Sequence, residues 1–184
     1  MPKALTRVFV TGMGMVSPLG LNLDSSWQAL TDGVSGVDYI TAFDLDGFET
    51  RFAAEVKGFD PTDYLDKKEA RRMDRFAQFA AVASAEALAR AQLKPEDIDP
   101  YRVATIVGSG IGGIITLSQQ YDVLKEKGPR RVTPFLIPMM LADMASAQVS
   151  MITGAMGPNF CSVSSCSSGA DAIGQAWEMI RRDE

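Results

Sequence analysis

Strand-like and helix-like segments alternate along this chain, and the alternation restricts the folds that it can adopt. Three strand-like runs, at 7–11, 102–108 and 159–164, are each followed by a turn of small residues and then a segment with helical spacing, and the first two are rich in β-branched residues. Regular alternation of this kind is typical of an α/β domain with a largely parallel sheet. We therefore predict an α/β fold in which the first run is a buried strand.

The helical segments carry specific expectations about where they begin and pack. Residues 74–91 have an apolar face rich in alanine, which would let a neighbouring element approach closely. Asp24 or Ser25 is expected to cap the first helix. Residues 134–138 are expected to form a loop that leads into a helix over 139–153.

Composition excludes several classes of protein. The 184 residues suit one domain with a substantial core. The 18 basic and 23 acidic residues give a net charge of −5, which argues against a nucleic-acid-binding protein. No apolar run approaches the roughly 18 residues that a membrane span needs, and no signal-peptide pattern is present. With only two cysteines, the chain is expected to occupy a reducing, cytoplasmic setting.

The most informative local feature is Cys166, which lies in the run Cys161-Ser-Val-Ser-Ser-Cys166-Ser-Ser-Gly169. The run predicts a strand, a tight turn and a helix, so that the thiol lies at a helix N-terminus where backbone N–H groups favour a thiolate and can bind an oxyanion. The alternative is a buried structural cysteine. Cys161 lies within the strand and is interpreted as structural, because nothing around it supplies a helix end or a cation. A Cys161–Cys166 redox pair is a weaker third interpretation, since the spacing is not Cys-x-x-Cys.

The chain contains no histidine, which bears directly on any role for Cys166. A thiol nucleophile normally works with a base or proton donor, and histidine is the usual one. Two explanations follow from the residues alone. Either the site has another role, or its chemical partners lie outside this chain.

A glycine-rich turn follows the second predicted strand. Gly108, Gly110 and Gly113 satisfy the G-x-G-x-x-G pattern of a dinucleotide site. The acidic residue that such a site needs about 20 positions later is missing. The competing interpretation is that these glycines let the backbone pass close to another element or to a substrate chain.

Two basic clusters stand out in an acidic chain. Lys68, Arg71 and Arg72 fall at helical spacing and can share one face, and Arg130 and Arg131 form a second pair. A solvated helix face is one interpretation. A docking surface for an acidic partner or a phosphate is the other.

Five motifs taken in order resemble a known family. Together they are similar to the N-terminal part of a beta-ketoacyl-acyl-carrier-protein synthase, most closely the type II, chain-elongating enzyme of bacterial fatty-acid synthesis. The resemblance covers essentially the whole chain. The motifs are Val10-Thr-Gly-Met-Gly-Met-Val-Ser-Pro-Leu-Gly20, Lys68-Glu-Ala-Arg-Arg-Met-Asp-Arg-Phe76, Gly108-Ser-Gly-Ile-Gly-Gly113, Gly128-Pro-Arg-Arg-Val-Thr-Pro-Phe135 and Ser165-Cys-Ser-Ser-Gly169.

The resemblance implies a thiolase-like fold of αβαβα layers, built from two similar halves and usually assembled as a homodimer. Residues 1–184 would form an incomplete N-terminal beta-ketoacyl synthase domain, the larger part of the first half. The family's two catalytic histidines and its lysine belong to a later region, so the absence of histidine fits a truncated chain. We therefore expect that this segment alone does not carry out condensation.

The resemblance also implies roles for individual residues. Cys166 matches the nucleophile that accepts the acyl chain, and its backbone N–H matches one oxyanion donor. Ile111 matches the gate of the acyl pocket, and Leu136 and Ile137 match the pocket-lining and dimer-contact segment. A basic surface that docks the acidic acyl carrier protein is matched by Lys68, Arg71, Arg72, Arg130 and Arg131.

The expected function of the complete protein is therefore decarboxylative Claisen condensation of an acyl thioester, held on cysteine, with malonyl-acyl carrier protein. No metal and no cofactor is expected, since the substrates are carried on the phosphopantetheine of the carrier protein. Two alternatives stay open. One is a ketosynthase of a polyketide pathway, and the other is a module that binds carrier protein without catalysis.

Overall fold

The computed structural model describes residues 6–183. Within this range the chain alternates helices with short strands, and short 3₁₀ turns link several of them. The helices and strands are α1 (Leu23–Thr31), β1 (Asp38–Tyr39), β2 (Phe52–Ala53), α2 (Lys67–Ala70), α3 (Arg75–Arg90), β3 (Thr105–Gly108), α4 (Ile114–Lys127), α5 (Leu136–Met140), α6 (Met144–Thr153), β4 (Asn159–Ser162) and α7 (Ser168–Arg182).

Strands β3 and β4 form the parallel pair around which the helices pack. Thr105 is paired with Asn159 and Gly108 with Ser162, so the carboxyl ends of both strands meet at one edge. Because side chains alternate across a strand, Val107 packs on the buried cluster of α3 and α6, whereas Gly108 faces the first turn of α7. Helices therefore cover both faces of the pair, and the α/β prediction is confirmed.

The buried core is made mainly of small side chains. Met73, Ala77 and Ala145 form its centre, and Phe76 and Val107 pack against it from the sides. Small residues allow α3 and α6 to lie close together, which is the packing that the alanine-rich sequence of α3 predicts.

The start of α3 is tied to the start of α4 by a buried carboxylate. Asp74 is 5% exposed, and its Oδ2 accepts a hydrogen bond of 2.7 Å from the backbone N–H of Thr116. Negative charge at a helix N-terminus is favourable because the N–H groups of the first turn have no partners within the helix. This contact fixes the position of α4, and therefore of the β3–α4 turn that precedes it.

The prediction of a buried strand over residues 7–11 is wrong. The segment forms no strand in the structure, and Phe9 and Val10 are 67% and 79% exposed. A strand needs a partner for its backbone groups, and β3 and β4 pair only with each other among residues 6–183. The chain that follows lies along α3 instead, where a Cβ atom on Gly12 would be 2.1 Å from the carbonyl oxygen of Ala87.

Smaller differences concern helix boundaries. Asn22 rather than Asp24 or Ser25 caps α1, and its side chain accepts a hydrogen bond from the Ser25 N–H. The segment predicted as a loop over 134–138 contains most of α5, since Pro138 lies in the first helical turn where a missing N–H costs nothing. None of the helices within residues 6–183 is long and apolar enough to cross a membrane.

Candidate active site

The turn that carries Cys166 lies at the carboxyl end of the parallel strand pair. Strand β4 ends at Ser162, a 3₁₀ turn follows over Ser165–Ser167, and α7 begins at the next residue. The Cys166 side chain is exposed. The predicted order of strand, tight turn and helix is therefore confirmed, and the edge is the one at which α/β proteins usually bind ligands.

The backbone of this turn is unusual at the residue before the cysteine. Ser165 has φ of +54°, a left-handed conformation that residues with a Cβ atom rarely adopt. The Ser168 hydroxyl accepts a hydrogen bond of 3.0 Å from the Ser164 N–H and donates one of 2.7 Å to the Ser165 carbonyl. The Ser164 hydroxyl also donates to Asp171 Oδ2 in the first turn of α7.

The β3–α4 turn lies beside the cysteine turn, and its glycines are explained by close backbone packing. A Cβ atom on Gly108 would lie 2.2 Å from the Ser168 carbonyl oxygen, and one on Gly113 would lie 2.1 Å from the carbonyl oxygen of Met139. Gly110 is close to Ser165, at 3.5 Å on the same measure. Protein backbone thus occupies the space beside Gly108 and Gly113, which favours the packing interpretation over a dinucleotide site at these two positions.

Cys161 differs from Cys166 in ways that favour a structural role. It lies within β4 opposite Val107, is partly buried, and its thiol donates to the Ser162 carbonyl at 3.4 Å. Burial raises the pKa of the Cys161 thiol, a hydrogen bond from the Ser109 backbone opposes that change, and the charge of Asp143 adds to it. The thiol therefore stays protonated at neutral pH and is a poor nucleophile.

The three residues matched to the acyl pocket lie on two adjoining segments. Ile111 is 72% exposed at the tip of the β3–α4 turn, Ile137 is exposed on α5, and Leu136 beside it is partly buried. A hydrogen bond of 2.9 Å from the Gly113 N–H to the Met140 carbonyl joins the turn to the end of α5. The structure thus brings these segments together next to the Cys166 turn.

The first basic cluster lines an open groove of about 510 Å³. Lys68, Arg71 and Arg72 contribute to it, and so does the ring of Phe135, whose centroid is 4.8 Å from the Arg72 guanidinium. Arg130 and Arg131 do not line this groove. They are exposed on a 3₁₀ turn over Pro129–Arg131, a few residues before Phe135 in the chain.

Comparison with known families decides what kind of protein this is. Residues 5–184 match the sequence profile of the beta-ketoacyl synthase N-terminal domain. The chain belongs to the beta-ketoacyl synthase family. The resemblance inferred from the ordered motifs is confirmed, and the layered, thiolase-like α/β fold is confirmed with it.

Relatives of this beta-ketoacyl synthase chain point the same way. It is 45% identical over 178 residues to 3-oxoacyl-[acyl-carrier-protein] synthase 2 of Staphylococcus aureus strain N315, covering 97% of this chain and 43% of the relative. The protein of the same name from Synechocystis is 45% identical over 175 residues, covering 95% and 42%. The chain thus spans less than half the length of the curated relatives it matches.

Solved structures give a further likeness. The ishigamide ketosynthase/chain length factor superposes with a TM-score of 0.87 at 27% identity, covering 98% of this chain and 45% of that one. The likeness extends over nearly the whole beta-ketoacyl synthase chain.

Two parts of this beta-ketoacyl synthase site were not identified from the sequence. Ser168 lies two residues after Cys166, and the sequence showed it only as one small residue among several. Phe135 ends a motif that was noted for its arginines, and no local pattern indicates that its ring contacts Arg72. Both depend on contacts between separate elements. A serine at the start of a helix, two residues after a candidate nucleophile, is the one sequence signal that points to Ser168.

Proposed function

We propose that this chain supplies the acyl-accepting half of a fatty-acid-elongating condensing enzyme, with Cys166 as the nucleophile. The observation that carries the proposal is the exposed thiol on a left-handed turn at the N-terminus of a 15-residue helix, beside the carboxyl ends of two parallel strands. The names of the S. aureus and Synechocystis relatives, both 3-oxoacyl-[acyl-carrier-protein] synthases, support the same reaction class.

The proposed half-reaction is transfer of an acyl group from a carrier thioester to the protein. The Cys166 sulfur, as thiolate, attacks the thioester carbonyl carbon and forms a tetrahedral oxyanion. Collapse of this intermediate breaks the carbon–sulfur bond to the carrier, whose thiolate leaves and takes up the proton that Cys166 has lost. The products are a Cys166 thioester and a free carrier thiol.

Backbone donors at the turn suit this chemistry. The Cys166 N–H makes no hydrogen bond within residues 6–183, so it is free to donate to an oxyanion. The first turn of α7 adds N–H groups that have no partner in the helix, and these favour negative charge nearby. Ile111, Leu136 and Ile137 are proposed to contact the acyl chain, since their segments adjoin the turn.

Condensation needs groups beyond this nucleophile. Decarboxylation of a malonyl thioester requires stabilisation of a developing enolate, and residues 1–184 contain no histidine for that step. We propose that the complete enzyme elongates acyl-carrier-protein substrates, and that residues 1–184 alone accept an acyl group without releasing carbon dioxide from malonyl-acyl carrier protein.

Intact-mass spectrometry after incubation with octanoyl-acyl carrier protein tests the proposal. Wild type should gain one octanoyl group, Cys161→Ala should gain the same group, and Cys166→Ala should gain none. No acyl adduct on wild type, at a concentration where the carrier protein is bound, would count against a role as acyl acceptor and favour a module that only binds the carrier.

The basic groove is proposed as the docking surface for the acidic acyl carrier protein. Lys68, Arg71 and Arg72 concentrate positive charge around an exposed aromatic ring, and Arg130 and Arg131 extend the charge along the chain. Opposite charges steer association and fix the register of a complex.

Charge reversal tests this surface. Lys68→Glu combined with Arg71→Glu should weaken binding of apo-acyl carrier protein about fivefold or more, with the larger effect at low salt, because exposed charges are screened by ions. Arg51→Glu combined with Lys94→Glu reverses two exposed charges outside the groove, so it is the matched control and should change affinity less than about twofold. Equal losses in the two variants, measured by calorimetry, would mean that only net charge matters.

A polyketide ketosynthase is the second candidate, supported by the likeness to the ishigamide ketosynthase. It shares the Cys166 acylation step and differs in the carrier protein that it accepts. We also propose that the protein is a homodimer in the cytoplasm. The large exposed apolar surface supports self-association. Two free cysteines suit a reducing compartment.

A further inference from the structure

The backbone just before Cys166 is held in a conformation that its own residues do not favour. Ser165 is one of few residues other than glycine with positive φ within residues 6–183, at +54°. The left-handed region brings Cβ too close to the following carbonyl group, so an isolated serine would spend little time there. Such a conformation persists only where surrounding contacts determine it.

One side chain, that of Ser168, forms hydrogen bonds with both Ser164 and Ser165. The Ser168 hydroxyl binds the N–H of Ser164 at 3.0 Å and the carbonyl of Ser165 at 2.7 Å. Ser168 is only 3% exposed, so water does not compete effectively for either group. The hydroxyl thus holds the first N–H and the last carbonyl of the Ser164–Ser165 pair, and this pair sets the direction in which the chain enters Cys166.

The Ser168 hydroxyl is not occupied in capping its own helix. The cap position of α7 is Ser167, whose side chain makes no cap hydrogen bond, and Ser168 is the first helical residue. Both bonds of the Ser168 hydroxyl run backwards to the turn rather than to α7. Close contact between Gly108 and the Ser168 backbone holds this end of α7 against β3, which gives the hydroxyl a rigid base.

We propose that Ser168 is a positioning residue, which holds Ser164 and Ser165 so that the Cys166 thiol and the Cys166 backbone N–H act on the same carbonyl group. The inference rests on the proposed acyl transfer, because it assigns Ser168 a part in that step. Asp171, which accepts from the Ser164 hydroxyl, supports the same turn from an exposed position.

Two reactions of Cys166 distinguish alignment of its thiol and backbone N–H on one carbonyl group from simple access to the thiol. Transfer of an octanoyl group from octanoyl-N-acetylcysteamine passes through an oxyanion and needs the aligned N–H. Alkylation by iodoacetamide displaces iodide without forming an oxyanion. Ser168→Ala should therefore lower the acylation rate about tenfold, the effect of losing one or two net hydrogen bonds, while alkylation changes less than about threefold. Ser168→Thr retains the hydroxyl and should recover most of the acylation rate.

Ser167 and Ser165 provide matched comparisons. Ser167→Ala removes an exposed hydroxyl next to Cys166 and should leave both rates within about twofold, because that hydroxyl caps nothing. Ser165→Gly allows positive φ without steric cost. In the Ser165→Gly background, Ser168→Ala should therefore lower the acylation rate only about threefold or less. A double-mutant cycle measures this coupling between Ser165 and Ser168.

Several results would overturn the inference. One is Ser168→Ala acylating within twofold of wild type, and another is equal losses in acylation and alkylation. If Ser168→Ala alone does not fold, the acylation rate of the double variant Ser165→Gly/Ser168→Ala is compared with that of Ser165→Gly. A loss of about tenfold in that comparison, instead of about threefold or less, overturns the inference. If wild type accepts no acyl group, the proposed function fails separately. The three-bond HN–Hα coupling of Ser165 then decides the inference: an unchanged coupling in Ser168→Ala overturns it.

Discussion

Single glycines in this chain are required by contacts that only the fold reveals. A Cβ atom on Gly14 would lie 2.0 Å from the Ala83 carbonyl oxygen of α3, a distance at which backbone must move. Gly174, in the middle of α7, would place its Cβ in open space. The same substitution at these two positions therefore has opposite expected effects.

We expect Gly14→Ala to lower the free energy of unfolding by about 2 kcal/mol or more, because overpacking against backbone cannot be relieved by a side-chain rotation. Gly174→Ala should raise it by about 0.5–1 kcal/mol, the gain from removing glycine from a helix interior. Urea unfolding followed by circular dichroism gives both values. A Gly14→Ala protein as stable as wild type would show that the N-terminal segment does not pack on α3 in solution.

One carboxylate on α3 joins three parts of the chain. Glu86 of α3 accepts hydrogen bonds from the backbone N–H groups of Met15, at 2.9 Å, and Leu23, at 3.0 Å, and pairs with Arg90 at 3.1 Å. Burial alone would raise the pKa of Glu86, but the hydrogen bonds from Met15, Leu23 and Arg90 together lower it below its ordinary value. The ionised form thus holds the N-terminal segment and the start of α1 on α3.

This contact makes stability depend on pH in a defined direction. A carboxyl group whose pKa is lower in the folded state stabilises the fold above its unfolded pKa of about 4.3, and the stabilisation is lost as pH falls through the folded pKa. The free energy of unfolding of wild type should therefore exceed that of Glu86→Gln by its full amount at pH 7, and the difference should shrink below about pH 4.3. Urea unfolding at a series of pH values measures this difference. Glu126→Gln, at an exposed position on α4, should parallel wild type. A difference in free energy of unfolding between wild type and Glu86→Gln that stays constant down to pH 3 would show that ionised Glu86 does not stabilise the fold.

The elements that sequence predicted well are those whose signals are local. Strand β3 lies within the run of β-branched residues at 102–108, and the turn before α7 follows from a run of small residues. The run at 7–11 has the same local signal but no strand partner within residues 6–183. Cys166 was identified from local order, whereas the Ser168 bonds and the Arg72–Phe135 contact join segments that only the folded chain brings together.

The chain exposes more surface than a compact monomer of its size does. Its accessible area is 12,616 Å², whereas a compact protein of 19.9 kDa exposes about 8,700 Å². Large apolar side chains contribute, among them Ile173, Trp177 and Ile180 on α7. Their spacing puts them on one side of the helix. Apolar surface of this extent is normally covered by other protein surface.

We therefore expect residues 1–184 to self-associate at micromolar concentration, which sedimentation velocity would detect. Ile173→Lys should shift the distribution towards monomer, because it introduces a charge into the apolar side of α7. Gln175→Lys adds the same charge to the same helix at an exposed polar position and should leave the distribution unchanged. A wild-type chain that sediments as a monomer would contradict the expectation.

Everything proposed for this site requires that Cys166, and not Cys161, accepts the acyl group. Both thiols belong to one chain, so their rates of acylation by one octanoyl thioester can be compared in a single sample by peptide mapping over time. We expect the Cys166 peptide to be acylated at least about tenfold faster, because Cys166 is exposed at a helix N-terminus while burial raises the pKa of Cys161. Equal rates at the two thiols, or faster acylation of Cys161, would contradict it.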